Sequence, residues 1–163
     1  MTDHLEIFLR LLIAMTIGCV IGIDRNLRGK PTGMKTLGLV ALGAALVTMA
    51  SMNFVMDSDG DHRDAVSRAI QGVITGIGFL GAGVIVHERA SEKVRGLTTA
   101  ASIWVTAAVG IVCGVGWWKV ALMATGLILL LFTVGRRIEH MLQHRWLGKT
   151  HEERERIAAR EED

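Results

Sequence analysis

Asp24 stands beside Arg25 at the end of one apolar run, and Lys35 and Arg95 stand where two others begin. A carboxylate gathered among three cations is held ionised, because nearby positive charge favours its anionic form. With Thr98 and Thr99 just after Arg95, this cluster has two readings. One is an ion-pair network tying helix ends; the other is a cation, proton or partner site at the mouth of a bundle. A second polar set lies inside the apolar runs: Arg10, Gln71, Thr75, Ser102 and Thr106. Arg10 falls roughly 7 Å inside its run by helix rise. A charge at the centre of a bilayer costs at least about 2 kcal/mol, less when the side chain snorkels outward. It either snorkels or pairs with a polar group such as Asn53 or Gln71.

Metal chemistry is less well served. Asp57-Ser58-Asp59-Gly60-Asp61 has alternating carboxylates like a calcium loop, but His62 stands where the turn glycine belongs and Arg68 where a bidentate Glu belongs. Weak association of hydrated Mg²⁺ is the most this acidic loop offers. His140 and His144 are four apart without a third ligand nearby. No cofactor motif, nucleophile–base set or phosphate-binding loop occurs, so the sequence reads as non-enzymatic. A net charge of +2 gives no footprint for nucleic acid.

The elements that must position these residues are helices in lipid. Charge is confined to short clusters, and the stretches between them are long and apolar without a charged stripe. About 20 helical residues cross a hydrocarbon core of about 30 Å. The expected fold is therefore an all-α polytopic membrane protein with five transmembrane helices, at 5–23, 36–56, 69–86, 97–116 and 117–134. Gly114, Gly116, Trp117, Trp118 and Lys119 divide the last two: glycine permits the turn, and tryptophan favours a membrane–water interface. Residues 1–139 form the membrane domain, and 140–163 a short charged tail with a surface helix. Arg136, Arg137 and Trp146 read as interfacial anchors. Met1 to Leu9 has neither Lys nor Arg and no cleavage pattern after it, so the first helix is expected to be retained. Cys19 and Cys113 fall near opposite faces, too far apart to bridge.

Lys and Arg set the orientation. Alternate connections carry 14 against 3 of the 18 basic residues, with Arg10 inside a span. The N-terminus is expected outside and the C-terminus in the cytoplasm.

On the third helix Arg68, Gln71, Gly72, Thr75, Phe79, Ala82 and Gly83 share an arc of about 120°. Ile70, Val73, Ile74, Ile77, Leu80 and Val84 lie opposite, and Gly81 is the misfit. Small residues let helices approach closely in lipid. Gly72, Gly76, Gly78, Gly81 and Gly83 are thus the expected packing residues, with a narrow polar cavity lined by Gln71 and Thr75 as the other reading. Gly18/Gly22 and Gly110/Gly114 repeat the four-residue spacing. Hydroxyls of Thr99, Ser102 and Thr106 share one arc of the fourth helix, where local bonding to preceding carbonyls is the simpler role.

Three stretches carry a resemblance. They are Arg10-Leu11-Leu12-Ile13-Ala14 with Gly22-Ile23-Asp24-Arg25 and Gly29-Lys30-Pro31-Thr32-Gly33-Met34-Lys35-Thr36; then Gly76 to Ile85; then Val94-Arg95-Gly96-Leu97-Thr98-Thr99-Ala100-Ala101 onward to Gly116. In order and spacing they resemble the membrane domain of the MgtC/SapB family, over residues 8–135. This chain departs from the family pattern at Asp24-Arg25-Asn26, where Glu-Arg-Glu is usual, and at Lys35-Thr36, where Arg-Thr is usual. Longer members carry a soluble C-terminal domain not seen in this sequence.

The resemblance implies a bacterial inner-membrane, multi-pass protein associated with magnesium limitation, acid adaptation and virulence. It implies modulation of another membrane system, either the F-type ATP synthase or cation transport. The alternative is a small transporter or channel for a cation or other small solute, using the Gly-rich third span. Its implied partners are membrane lipid and another inner-membrane complex, and a homo-oligomer is compatible with the sequence.

Overall fold

The computed structural model describes residues 4–56, 63–88 and 93–147, and the side chains of all these except 53–56, 63, 65, 86–88, 93 and 143–147. The acidic loop from Asp57, the side chains of Asn53, His144 and Trp146, and the tail beyond 147 lie outside the described residues.

The elements run α1 His4–Leu27, α2 Met34–Met56, α3 Arg63–Val84, β1 Val86–Glu88, β2 Lys93–Arg95, α4 Leu97–Val115 and α5 Trp118–Leu147. Four helices are long and apolar enough to cross a membrane: His4–Leu27, Met34–Met52, Leu97–Val115 and Trp118–Leu142. The all-α membrane fold is thus as expected, but α3 is not among those four. Its glycines, with Arg68, Gln71 and Thr75, dilute its apolar content. At 22 residues it is still roughly 33 Å long, so a fifth crossing remains a proposal. It predicts that reporters fused at Lys30 and Lys93 both read as cytoplasmic. An external signal at Lys93 would mean that α3 does not cross.

The connection at 87–96, expected to be a loop, contains an antiparallel hairpin pairing Val86 with Arg95 and Glu88 with Lys93. Gly96 then enters α4 at φ 94. A Cβ there would sit 2.0 Å from the Val84 carbonyl oxygen, so both conformation and space require glycine. Two Schellman motifs end helices sharply. At α1, Gly29 (φ 62) donates to the Asn26 carbonyl and Lys30 to that of Arg25. At α4, Gly116 (φ 96) donates to Cys113 and Trp117 to Val112.

The described residues up to Gly126 form one compact unit and those from Leu127 a second. In the first, α2 is held between α1 and α4, and α3 packs on α4 and α2. The two seams of α2 are backbone against backbone. A Cβ at Gly18 would lie 2.4 Å from the Leu37 carbonyl oxygen, and one at Gly22 2.5 Å from Met34 Cα. On the other seam, one at Gly110 would lie 2.3 Å from the Ala41 oxygen and one at Gly114 2.8 Å from that of Ala45. Ala41 and Ala45 are fully buried between them. Close approach of this kind replaces the hydrophobic effect as the source of helix association in lipid. The glycine pairs of the first and fourth helices therefore pack as their spacing suggests.

The third helix does not. A Cβ at Gly72, Gly76, Gly78 or Gly83 would meet nothing within 4 Å, and only Gly81, the misfit of the arc, touches α4, at Ala100. At these glycines the expected packing face makes no close contact with another helix among the described residues, and Phe79 is largely exposed while Ile77 is buried. Leu37, Ala41 and Ala45 of α2 are taken up by Gly18, Gly110 and Gly114 of α1 and α4, which leaves α3 the wider side of α2 at Leu39, Gly43 and Val47.

In the second unit the described residues 127–147 continue α5 without a break at the expected 139/140 boundary. Leu127, Leu130, Leu131, Val134, Ile138, Met141 and Leu142 are exposed on it, as suits a surface facing lipid tails.

Candidate functional site

Arg25 lies in the last turn of α1, where adjacent residues point about 100° apart. It is 3% exposed. One guanidinium nitrogen, Nη2, donates to the Pro31 carbonyl at 3.0 Å and to Thr99 Oγ1 at 2.7 Å. One side chain therefore ties together the end of α1, the turn into α2 and the start of α4. Thr99 is buried as well, while Thr98 is exposed.

Asp24 points elsewhere. Its Oδ1 accepts from Arg28 Nε at 3.1 Å and Nη2 at 2.6 Å. The expected cluster of Asp24 with Lys35 and Arg95 is corrected: the carboxylate pairs with Arg28, four residues on, as helix geometry favours. Lys35 is exposed, and Arg95 ends β2. Asp24 Oδ2 and Arg25 Nε are buried without a hydrogen-bond partner among the described residues.

Arg10 marks the opposite end of α1. It neither pairs with Gln71 nor stands alone: it binds Glu6 and donates to the Gly114 carbonyl at 3.2 Å. A Cβ at Gly116 would touch its guanidinium at 2.8 Å. A cation thus closes the C-terminus of α4, where unpaired carbonyls carry partial negative charge. Arg10→Met is expected to lower stability by about 1–2 kcal/mol, the range of a charged hydrogen bond with a helix-end contribution. Thermal unfolding in detergent measures it, and an unchanged midpoint would refute the capping role.

Ser102 and Thr106 are buried and donate to the Thr99 and Ser102 carbonyls, both at 2.7 Å. They follow the local-bonding reading. Gln71 and Thr75 are exposed, and Gln71 reaches Ser67 at 3.4 Å. Neither lines the cavity between α2 and α3. The cavity beside α3, about 640 Å³ between α2 and α3, is lined mostly by apolar residues including Gly72 and Gly76. Cys19 and Cys113 are free thiols. Reasoning from sequence missed Glu6, Arg28 and the Gly114 carbonyl. The first two are signalled by four-residue spacing to Arg10 and Asp24; a backbone acceptor leaves no mark.

Long apolar helices, backbone-tight seams and arginines stapling their two ends define a multi-pass helical membrane protein. Residues 11–141 match the MgtC family. The chain is 42% identical to Protein SrpB of Synechococcus elongatus, over 92% of this chain and 84% of that one. It is 46% identical to Protein MgtC of Salmonella typhimurium over 74% of this chain and 48% of that one. Protein SapB of Bacillus subtilis is 37% identical over 77% of this chain and 54% of its own. The chain belongs to the MgtC family, and its match spans about half the length of the MgtC and SapB relatives. No solved structure matches it.

Proposed function

We propose that this protein is a non-enzymatic modulator of another membrane system, the ATP synthase or a cation transporter, during adaptation to low magnesium or acid. Membership of the MgtC family supports the process. The observation that carries the mode of action is the fate of the buried hydroxyls. Thr48, Ser102, Thr106 and Thr125 each donate to a carbonyl of their own helix. None of the four lines the cavity between α2 and α3, so their oxygens do not stand in for the water shell of an ion there, which favours a modulator over a pore. The second reading, a small-solute transporter, draws on the glycine-lined space beside α3, whose apolar walls suit an uncharged or amphipathic solute better than a hydrated cation.

Purified protein in proteoliposomes is expected to move neither Mg²⁺, K⁺ nor H⁺ above empty vesicles, while its expression restores growth of a deletion strain at low magnesium. Flux of any of the three in pure vesicles would overturn the modulator reading.

A further inference from the structure

The space between α2 and α3 is widened by glycines against which no atom packs. Leu39, Gly43 and Val47 of α2 and Gly72 and Gly76 of α3 line it, with Lys35 at one end. A Cβ at Gly43, Gly72 or Gly76 would meet no atom within 4 Å. Among the described residues these glycines serve neither a turn nor a helix contact; they leave width in a groove of about 640 Å³.

Two features identify an occupant. First, the groove runs from Lys35 to Val47 on α2, roughly 18 Å by helix rise. That is close to one leaflet of a hydrocarbon core of about 30 Å, and too short for a helix crossing the whole bilayer. Second, the charge is at one end only. Lys35 is exposed, and no hydrogen bond or ion pair holds its ammonium among the described residues. It also lies in the first turn of α2, where unpaired backbone N–H groups favour an anion. An occupant with an anionic head and an apolar tail one leaflet long fits both features.

We propose that the α2–α3 groove is a binding site for an anionic phospholipid. One acyl chain lies along Gly43, Gly72 and Gly76, and the phosphate meets Lys35 and the α2 N-terminus. The glycines set the width of the tail channel, and Lys35 sets the preference for a negative headgroup.

Native mass spectrometry of the purified full-length chain with dioleoyl-phosphatidylglycerol or dioleoyl-phosphatidylcholine tests this. The wild type is expected to retain one lipid per chain and to prefer the glycerol lipid by about fivefold, the effect of one Lys facing an anionic lipid. Lys35→Ala should equalise the two lipids. Gly76→Leu should abolish retention of both while leaving the thermal unfolding midpoint unchanged, because the new side chain fills the groove without striking the fold. Equal retention of both lipids by the wild type would overturn the proposal, as would undiminished binding by a folded Gly76→Leu. A dimer mass in the wild type that Gly76→Leu removes would also overturn it, by giving the groove to a second copy.

Discussion

Gly110→Ala is expected to destabilise the protein by at least about 3 kcal/mol, the upper end of overpacking costs in a filled interior. The added methyl would lie 2.3 Å from the Ala41 carbonyl oxygen and 2.9 Å from its Cα. Both are backbone atoms, so no rotamer change relieves the clash and α4 must move off α2. Gly18→Ala should behave alike against Leu37. Gly76→Ala, with nothing within 4 Å, should leave stability within about 0.5 kcal/mol. Thermal unfolding in detergent, read beside abundance in the membrane, orders the three. Equal tolerance of Gly110→Ala and Gly76→Ala would remove the case for backbone-tight seams.

Arg25→Ala should rank next. It deletes two charge-assisted hydrogen bonds, to Pro31 and Thr99, and opens a cavity where a 3% exposed side chain stood. The summed loss is about 3 kcal/mol. Arg25→Lys should recover part of the loss, because both bonds leave one nitrogen, Nη2, and a single ammonium has donors for two acceptors. By contrast Asp24→Asn removes a pair with Arg28 in which both side chains keep about a fifth of their exposure, and should cost at most about 1 kcal/mol. Guanidinium unfolding with a chain-integrity control measures all three. A larger loss from Asp24→Asn than from Arg25→Ala would shift the weight of this end of the bundle to the carboxylate.

All five helices were legible in the sequence, four of them long and apolar enough to cross, because lipid admits few alternatives: a backbone that cannot bond to water must bond to itself, and that demands long apolar runs. Glycine spacing was legible where both partners' small residues coincide, as at Gly18 and Gly110. It misled at Gly72 and Gly76, because a sequence shows that a helix is narrow on one side but not whether a neighbour arrives there. The charged end was found but wired wrongly. Asp24 and Arg25 are neighbours in the chain, yet a helix turns them to different surroundings. The guanidinium goes inward to Thr99 and the carboxylate along the helix to Arg28. Arg10 escaped for a different reason, since its acceptor, the Gly114 carbonyl, belongs to the backbone.

The two seams of α2 also differ in when they can close. Gly18 meets Leu37 and Gly22 meets Met34, so the first seam joins segments adjacent in synthesis. Gly110 meets Ala41 and Gly114 meets Ala45, so the second waits until nearly the whole bundle has left the ribosome. Until then the Ala41–Ala45 face of α2 is open to the bilayer, and any narrow helix nearby can occupy it. Biogenesis therefore has a vulnerable interval ended by the arrival of α4. A chain truncated and released before Leu97 should accordingly be an easy target for membrane proteases, whereas one released after Val115 should resist them.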